Sequence, residues 1–235
     1  MKFTVSPKVF ELFPELQIAV AVFKGLDNTK TMPEIAELLR NEEMFCRSIF
    51  SELKVSEHPN IQNWRKAYTK FGAGSHYRSS IETLVKRVSK GDNLPSINNL
   101  VDIYNLISLK HLLPVGGEDL RRIQGNIELT TATGEEHFKA IYSETNESPQ
   151  KGEIIYVDGY RDVLCRRFNW READKSKITE QTKDAIIYIE GISPVNAIET
   201  KEAMQDMVGY MEKFCSGSVE LFLINKDFPV FTFKK

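Results

Sequence analysis

The segment 96–110 constrains the fold more than any other. Its spacing predicts a helix opened by Pro95, with Ile97, Leu100, Val101, Tyr104 and Ser108 along one side and Ile103, Leu106 and Ile107 along another. A helix that is apolar on most sides has to be buried, so other elements must cover more than one of its faces. Asn98, Asp102 and Asn105 add a polar stripe at i, i+4, i+7 spacing. Buried amides and a carboxylate need hydrogen-bond partners. Two roles meet that need: capping of neighbouring loops, or lining of a polar pocket.

The elements that could cover this helix lie on both sides of it in the chain. Upstream, residues 3–5 and 16–23 read as strands, the second with Ile18, Val20 and Val22 on one face at period two. A helix follows, with Thr31 as candidate cap and Pro33 in its first turn, running to about Val55 with an acidic outer face. His58-Pro59 breaks it. A second helical stretch spans 64–70, and 71–75 is a loop. Ser79-Ser80 caps a third helix that ends at Gly91-Asp92-Asn93. Downstream the character changes. Strand-like segments recur at 127–131, 138–142, 153–157, 163–168, 185–189 and 219–224, with a helical turn at 179–183 and a helix over 197–214. Helices grouped early and strands grouped late predict an α+β fold. We expect residues 1–235 to form a single compact domain, with an N-terminal helical part and a mainly antiparallel sheet.

Composition narrows the function classes. The chain of 235 residues carries 31 Lys+Arg against 33 Asp+Glu, a net of −2, which excludes a histone-like polycation. The longest largely apolar run, 16–23, is far short of the roughly 20 residues that cross a bilayer. The first residues lack a secretory-type apolar stretch. Cys46, Cys165 and Cys215 are sparse, unpaired in sequence and read as buried thiols of a cytoplasmic protein. HExxH, P-loop and GxGxxG patterns are absent. Neither a metal nor a cofactor is expected.

Three further features carry candidate chemistry. After Leu112-Leu113-Pro114-Val115 comes Gly116-Gly117-Glu118-Asp119, where a glycine pair could bring backbone amides close to a ligand beside the Glu118 carboxylate, or simply form a tight turn. In 164–171, strand alternation sends Arg166 and Arg167 to opposite faces, and Arg166 with Asn169 and Trp170 suits phosphate, ribose or base contact. Finally, 64–90 holds Arg65, Lys66, Lys70, Arg78, Lys86, Arg87 and Lys90 against the single acid Glu82, a net of +6, with Trp64, Tyr68, Phe71 and Tyr77 interleaved. That asymmetry is either a polyanion-facing side or a solvated face.

Taken together, residues 93–105, then Leu109 and Pro114, the 152–158 strand, the 178–182 turn and 186–190 resemble one family. It is the B-three/B-four domain, the tRNA-binding editing module of the phenylalanyl-tRNA synthetase beta subunit. The resemblance covers about 64–190 and is nearest to free-standing proteins built from this module alone. It implies an α+β fold with a sheet-lined pocket beside the buried helix. The activity it implies is hydrolysis, in trans, of a mischarged amino acid still esterified to tRNA. Asn105 matches the family's Asn, whereas Tyr104 stands where the family has Thr and Gly116 where it has His. The resemblance brings Asp102, Tyr104, Asn105, Gly116, Gly117, Glu118, Arg166 and Asn169 forward as substrate-binding candidates. The seven bases of 64–90 become the RNA-binding candidates. Charged tRNA and its amino acid moiety are the expected partners, with no DNA and no membrane. No ATP-binding motif is recognisable, so the chain is not a complete ligase. A non-catalytic RNA-binding module and a binder of a free amino acid-like molecule are the alternatives.

Overall fold

The computed structural model describes residues 1–28, 32–74 and 76–235, without the Ala197 side chain. The cap expected at Thr31 and the loop residue Ser75 lie outside the described residues.

The expected helix is α5 (Asn99–His111), and from Asn99 to Leu109 every residue but Tyr104 is buried. It starts three residues later than its pattern suggests, because Asn98 caps it by accepting from the Val101 N–H at 3.0 Å. Asp102 reaches back to accept from Ser96 Oγ at 2.6 Å and the Ile97 N–H at 2.9 Å. Asn99 Oδ1 accepts from the Met32 N–H. The first turn of the polar stripe is therefore occupied in holding loops.

Two sheets account for the burial. β1 (Lys2–Val5), β4 (Ile127–Thr131), β5 (Ile154–Val157), β6 (Val163–Arg166), β7 (Arg171–Glu172) and β10 (Val230–Thr232) form a six-stranded sheet in the order β10-β1-β4-β5-β6-β7. β2 (Gln17–Lys24), β3 (Val115–Asp119), β8 (Ala185–Gly191) and β9 (Ser218–Ile224) form a second sheet in the order β3-β8-β2-β9. Every strand pair is antiparallel except β1 with β4. The fold is mixed α and β as expected, but with two sheets rather than one. Its N-terminal strands β1 and β2 are interior members of those sheets.

The period-two pattern of β2 sets the layers. Ile18, Val20 and Val22 face the six-stranded sheet together with Ile186 and Tyr188 of β8. Ala19, Ala21 and Phe23, with Ile187 and Ile189, face α5 and α6 (Pro194–Phe214). α2 (Pro33–Ile49), α3 (Pro59–Lys70) and α4 (Ser80–Ser89) add Leu39, Cys46, Ile61, Trp64, Ile81 and Val85 to the inter-sheet core.

Several local expectations need correction. α2 ends at Ile49, short of Val55, and a separate 3-10 turn occupies 55–57. His58-Pro59 does not only break a helix; it opens α3, with Pro59 in the first turn and His58 Nδ1 accepting from the Asn60 N–H. Residues 138–142 form no strand and contribute only the single bridge of Ala140 to Ala173. Gly116-Gly117 is neither loop nor turn but the middle of the fully buried strand β3. The short α1 (Pro7–Leu12) and β10 carry too few patterned residues to be read from sequence.

Candidate functional site

Between the sheets lies a chain of buried polar side chains that the apolar patterns do not announce. Tyr188 of β8 stacks on Tyr156 of β5, ring centroids 4.6 Å apart. Gly116 is small for this reason: a Cβ there would stand 2.4 Å from Tyr188 Cε2. The Tyr156 hydroxyl donates to Glu190 Oε1 at 2.5 Å, and Asn169 Nδ2 donates to Glu190 Oε2 at 2.5 Å. Asn169 Oδ1 in turn accepts from the Tyr68 hydroxyl at 3.2 Å and the Ser80 N–H at 3.3 Å. The Tyr188 hydroxyl donates to Glu118 Oε1 at 3.0 Å. Burial pushes the Glu190 carboxyl up to about 7 despite these bonds.

The other end of this chain meets a cleft of about 470 Å³ lined by Ala140, Ile141, Tyr142, Ser143, Glu147, Trp170, Arg171 and Glu172. Glu172 sits on β7, the edge of its sheet, and Glu118 on β3, the edge of the other. Glu118 Oε2, Glu172 Oε2 and Ser176 Oγ are each sealed from solvent without a hydrogen-bond partner of good geometry among the described residues. Burial raises the Glu118 carboxyl well above the carboxylate range, and the neighbouring Glu172 charge adds to it. Glu172 is raised by burial as well. The Tyr104 hydroxyl is raised by burial first, then by Glu172, Glu118 and Asp102. Cys165, opposite Glu172 in the β6–β7 pair, is held as a thiol by burial and by Glu172 and Glu118. A pair of proton-holding carboxyls behind a cleft can donate hydrogen bonds, hold an ammonium or move a proton.

Strand alternation fails at the arginines. β6 stops at Arg166, and Arg167 and Phe168 adopt left-handed backbone at φ 48° and 66°. The chain turns, and both guanidinium groups come to the same carboxylate. Arg166 donates to Glu153 at 2.8 and 3.1 Å, and Arg167 Nη2 lies 2.5 Å from Glu153 Oε1. Arg167 is 2% exposed and packs between Tyr77, 3.6 Å from its ring centroid, and Trp170 at 4.6 Å. Arg166 is thus committed to a buried pair rather than facing an open surface.

The candidates from sequence divide accordingly. Glu118 and Tyr104 belong to the electrostatic neighbourhood of the cleft, and Asn169 to the buried polar chain. Gly116 and Gly117 make room for Tyr188 and Ile187, whose Cδ1 would stand 2.3 Å from a Cβ at Gly117. Asp102 holds the 96–97 loop, and Asn105, one turn on, is buried. Glu172, Glu190, Tyr156 and Tyr188 escaped sequence reading. The signal for two of them was present, since Tyr188 and Glu190 are polar interruptions on one face of an otherwise apolar strand.

The basic segment is less free than its sequence count. Arg65, Arg78 and Lys86 converge on the buried Glu82, at 2.6, 3.4 and 2.8 Å. Lys70 Nζ donates to the Leu12 carbonyl and lies over the Phe13 ring. Lys66 and Lys70 line a small pocket of about 160 Å³ with Phe13, Asn63, Ala67 and Ile192. Arg87 and Lys90 close the C-terminal end of α4, where cations suit the helix dipole. Among the described residues no cluster of His, Cys, Asp or Glu could hold a metal ion, and no helix is long and apolar enough to cross a membrane.

A two-sheet sandwich with a buried helix against its outer face and carboxyls between its edges defines the class of domain. The profile of the B3/4 domain matches residues 63–216, and the chain belongs to that family. Among solved structures it is similar to an N-terminal fragment of the phenylalanyl-tRNA synthetase beta subunit from Pyrococcus horikoshii, at 13% identity and a TM-score of 0.48. That match covers 96% of this chain and 52% of the fragment, so the chain spans about half the fragment's length. No curated protein matches in sequence.

Proposed function

We propose that this protein binds tRNA in the cytoplasm and hydrolyses a mischarged aminoacyl ester in trans, with residues 1–235 acting as one B3/4-like unit. The cleft that ends on Glu172, with Glu118 behind it, carries the reading. An aminoacyl ester presents an α-ammonium next to an activated carbonyl. In this reading one carboxylate of the pair holds that ammonium, and its protonated neighbour donates to the departing ribose oxygen. The ester needs only an oriented water and a stabilised oxyanion, so no strong nucleophile is required. Tyr142, Ser143, Trp170 and Arg171 would bound the amino acid side chain and the terminal ribose. Lys66 and Lys70 of α3, Arg87 of α4 and Lys90 at its C-cap lie outside the Glu82 cluster and are proposed contacts to the RNA.

The test is ester loss from a panel of purified charged tRNAs. Glu118→Gln and Glu172→Gln keep side-chain shape and remove the ionisable group. Each should lower the deacylation rate by about 10- to 150-fold, the worth of a charge-assisted hydrogen bond. A wild-type protein inactive on every charged tRNA refutes the proposal, as does a wild-type rate in both variants.

A further inference from the structure

A second cleft lies between β4 and the start of α1. It encloses about 800 Å³ and is lined by Ser6, Pro7, Lys8, Thr130, Thr131, Ala132, Thr133, Lys151 and Arg161. Three cations and four hydroxyl-bearing side chains line it, and no carboxylate does. Lys8 and Lys151 are exposed and make no ion pair among the described residues. Ser6 is 9% exposed, and its hydroxyl is sealed from solvent without a hydrogen-bond partner among the described residues. Its backbone N–H donates to the Leu129 carbonyl at 2.9 Å, which ties this stretch of the cleft wall to β4.

The third cation is positioned by a carboxylate outside the lining. Burial pushes Glu136 up, but the N–H groups of Thr133 and Gly134 and the Thr133 hydroxyl outweigh it and hold the carboxyl at about 2. This carboxylate pairs with Arg161 through Nη2. A guanidinium has five N–H donors. Nη2 is anchored on Glu136, and the side chain lines the cleft. Three cations around a cleft lined by no carboxylate among the described residues suit an oxyanion. The fork of an arginine with two lysines suits phosphate in particular.

We infer that this cleft is a phosphate site whose occupant is the phosphodiester backbone of a bound RNA. The identity of that occupant rests on the tRNA reading given above; the anion chemistry of the cleft does not. It places a principal RNA contact away from α3 and α4, where Glu82 already engages three of the seven bases.

The experiment uses the full chain with uncharged tRNA, measured by fluorescence anisotropy over a range of salt concentrations. Lys8→Ala combined with Lys151→Ala removes two exposed cations at little risk to folding. If each meets one phosphate, the salt slope should fall by about 1.5, and affinity near 0.1 M salt by roughly 30-fold. Lys54→Ala with Lys201→Ala removes the same charge elsewhere and should leave both nearly unchanged. Inorganic phosphate, followed by amide resonances, should shift Lys8, Thr131 and Lys151, and less so in the Lys8→Ala, Lys151→Ala variant. Equal losses in the two double variants overturn the inference, as does an unchanged affinity in the cleft variant or a wild-type protein that does not bind tRNA. Resonance shifts with inorganic phosphate but no cleft dependence of tRNA binding overturn RNA as the occupant in favour of a small phosphorylated ligand. Cleft-dependent tRNA binding in a protein without deacylase activity upholds this inference while refuting the hydrolase reading.

Discussion

Replacing Glu190 by Gln isolates the cost of keeping an acid between the sheets. Glu190 is 1% exposed, and its carboxyl is raised from 4.5 to about 7. A raised carboxyl stabilises the fold when protonated. That contribution is complete below pH 4.5 and is lost as pH climbs through 7. A shift of this size corresponds to about 3 kcal/mol, nearly all of it lost by pH 8 and about 2.5 kcal/mol of it between pH 5 and pH 8. Glutamine preserves the shape, can accept from Asn169 and can donate to the Tyr156 oxygen, so it escapes the titration. Urea denaturation of both proteins at several pH values reads the difference directly. Glu190→Gln should be close to wild type at pH 5 and more stable by about 2.5 kcal/mol at pH 8 relative to that baseline. His58 is lowered by burial, but it is common to both proteins and cancels. A difference that does not change with pH would show that Glu190 is not held as an acid, and the electrostatic account of the inter-sheet chain would fall.

Other outcomes follow from the same geometry. Glu153→Ala leaves Arg166 and Arg167 buried without their shared carboxylate, and should cost about 3–5 kcal/mol by urea midpoint. Gly116→Ala drives a methyl into the Tyr188 ring and should cost about 1–3 kcal/mol. Gly117→Ala meets the flexible tip of Ile187 and should cost less, with thermal melts ranking the two. The Gln variants of Glu118 and Glu172 should lose deacylation while keeping a wild-type near-ultraviolet dichroism spectrum.

What was legible in the sequence was periodic. The two faces of β2 and the all-round apolarity of α5 follow from local spacing, which burial preserves. The site was legible only where a residue broke a pattern or matched the family. Glu118 drew notice by standing after two glycines, and those glycines make room for Tyr188 and Ile187. Glu172 lies in a two-residue strand with no period to interrupt. The convergence of Arg166 and Arg167 on Glu153 depends on two left-handed residues, Arg167 and Phe168, neither of them glycine. Residue type gives no warning of such a turn, because tertiary packing and not local preference sustains it. The bases of 64–90 show the converse. Their count was read correctly, but a single buried Glu82 reorganises three of them.

The pairing of β1 has a consequence for how the protein assembles. Lys2 pairs with Thr232 on one side and Thr4 with Glu128 on the other. Phe3, between them, packs edge-on against both Tyr156 and Tyr188 at 6.0 and 6.3 Å. The first strand therefore waits for partners made more than a hundred residues later. Closing such long loops precedes any reward from the contacts they enable, which makes folding slow. Until then β1 carries an unpaired edge beside an apolar phenylalanine, a surface that invites pairing with another unfinished copy. The tyrosine stack that supports the carboxyls is thus completed late, and recovery from denaturant should fall with protein concentration.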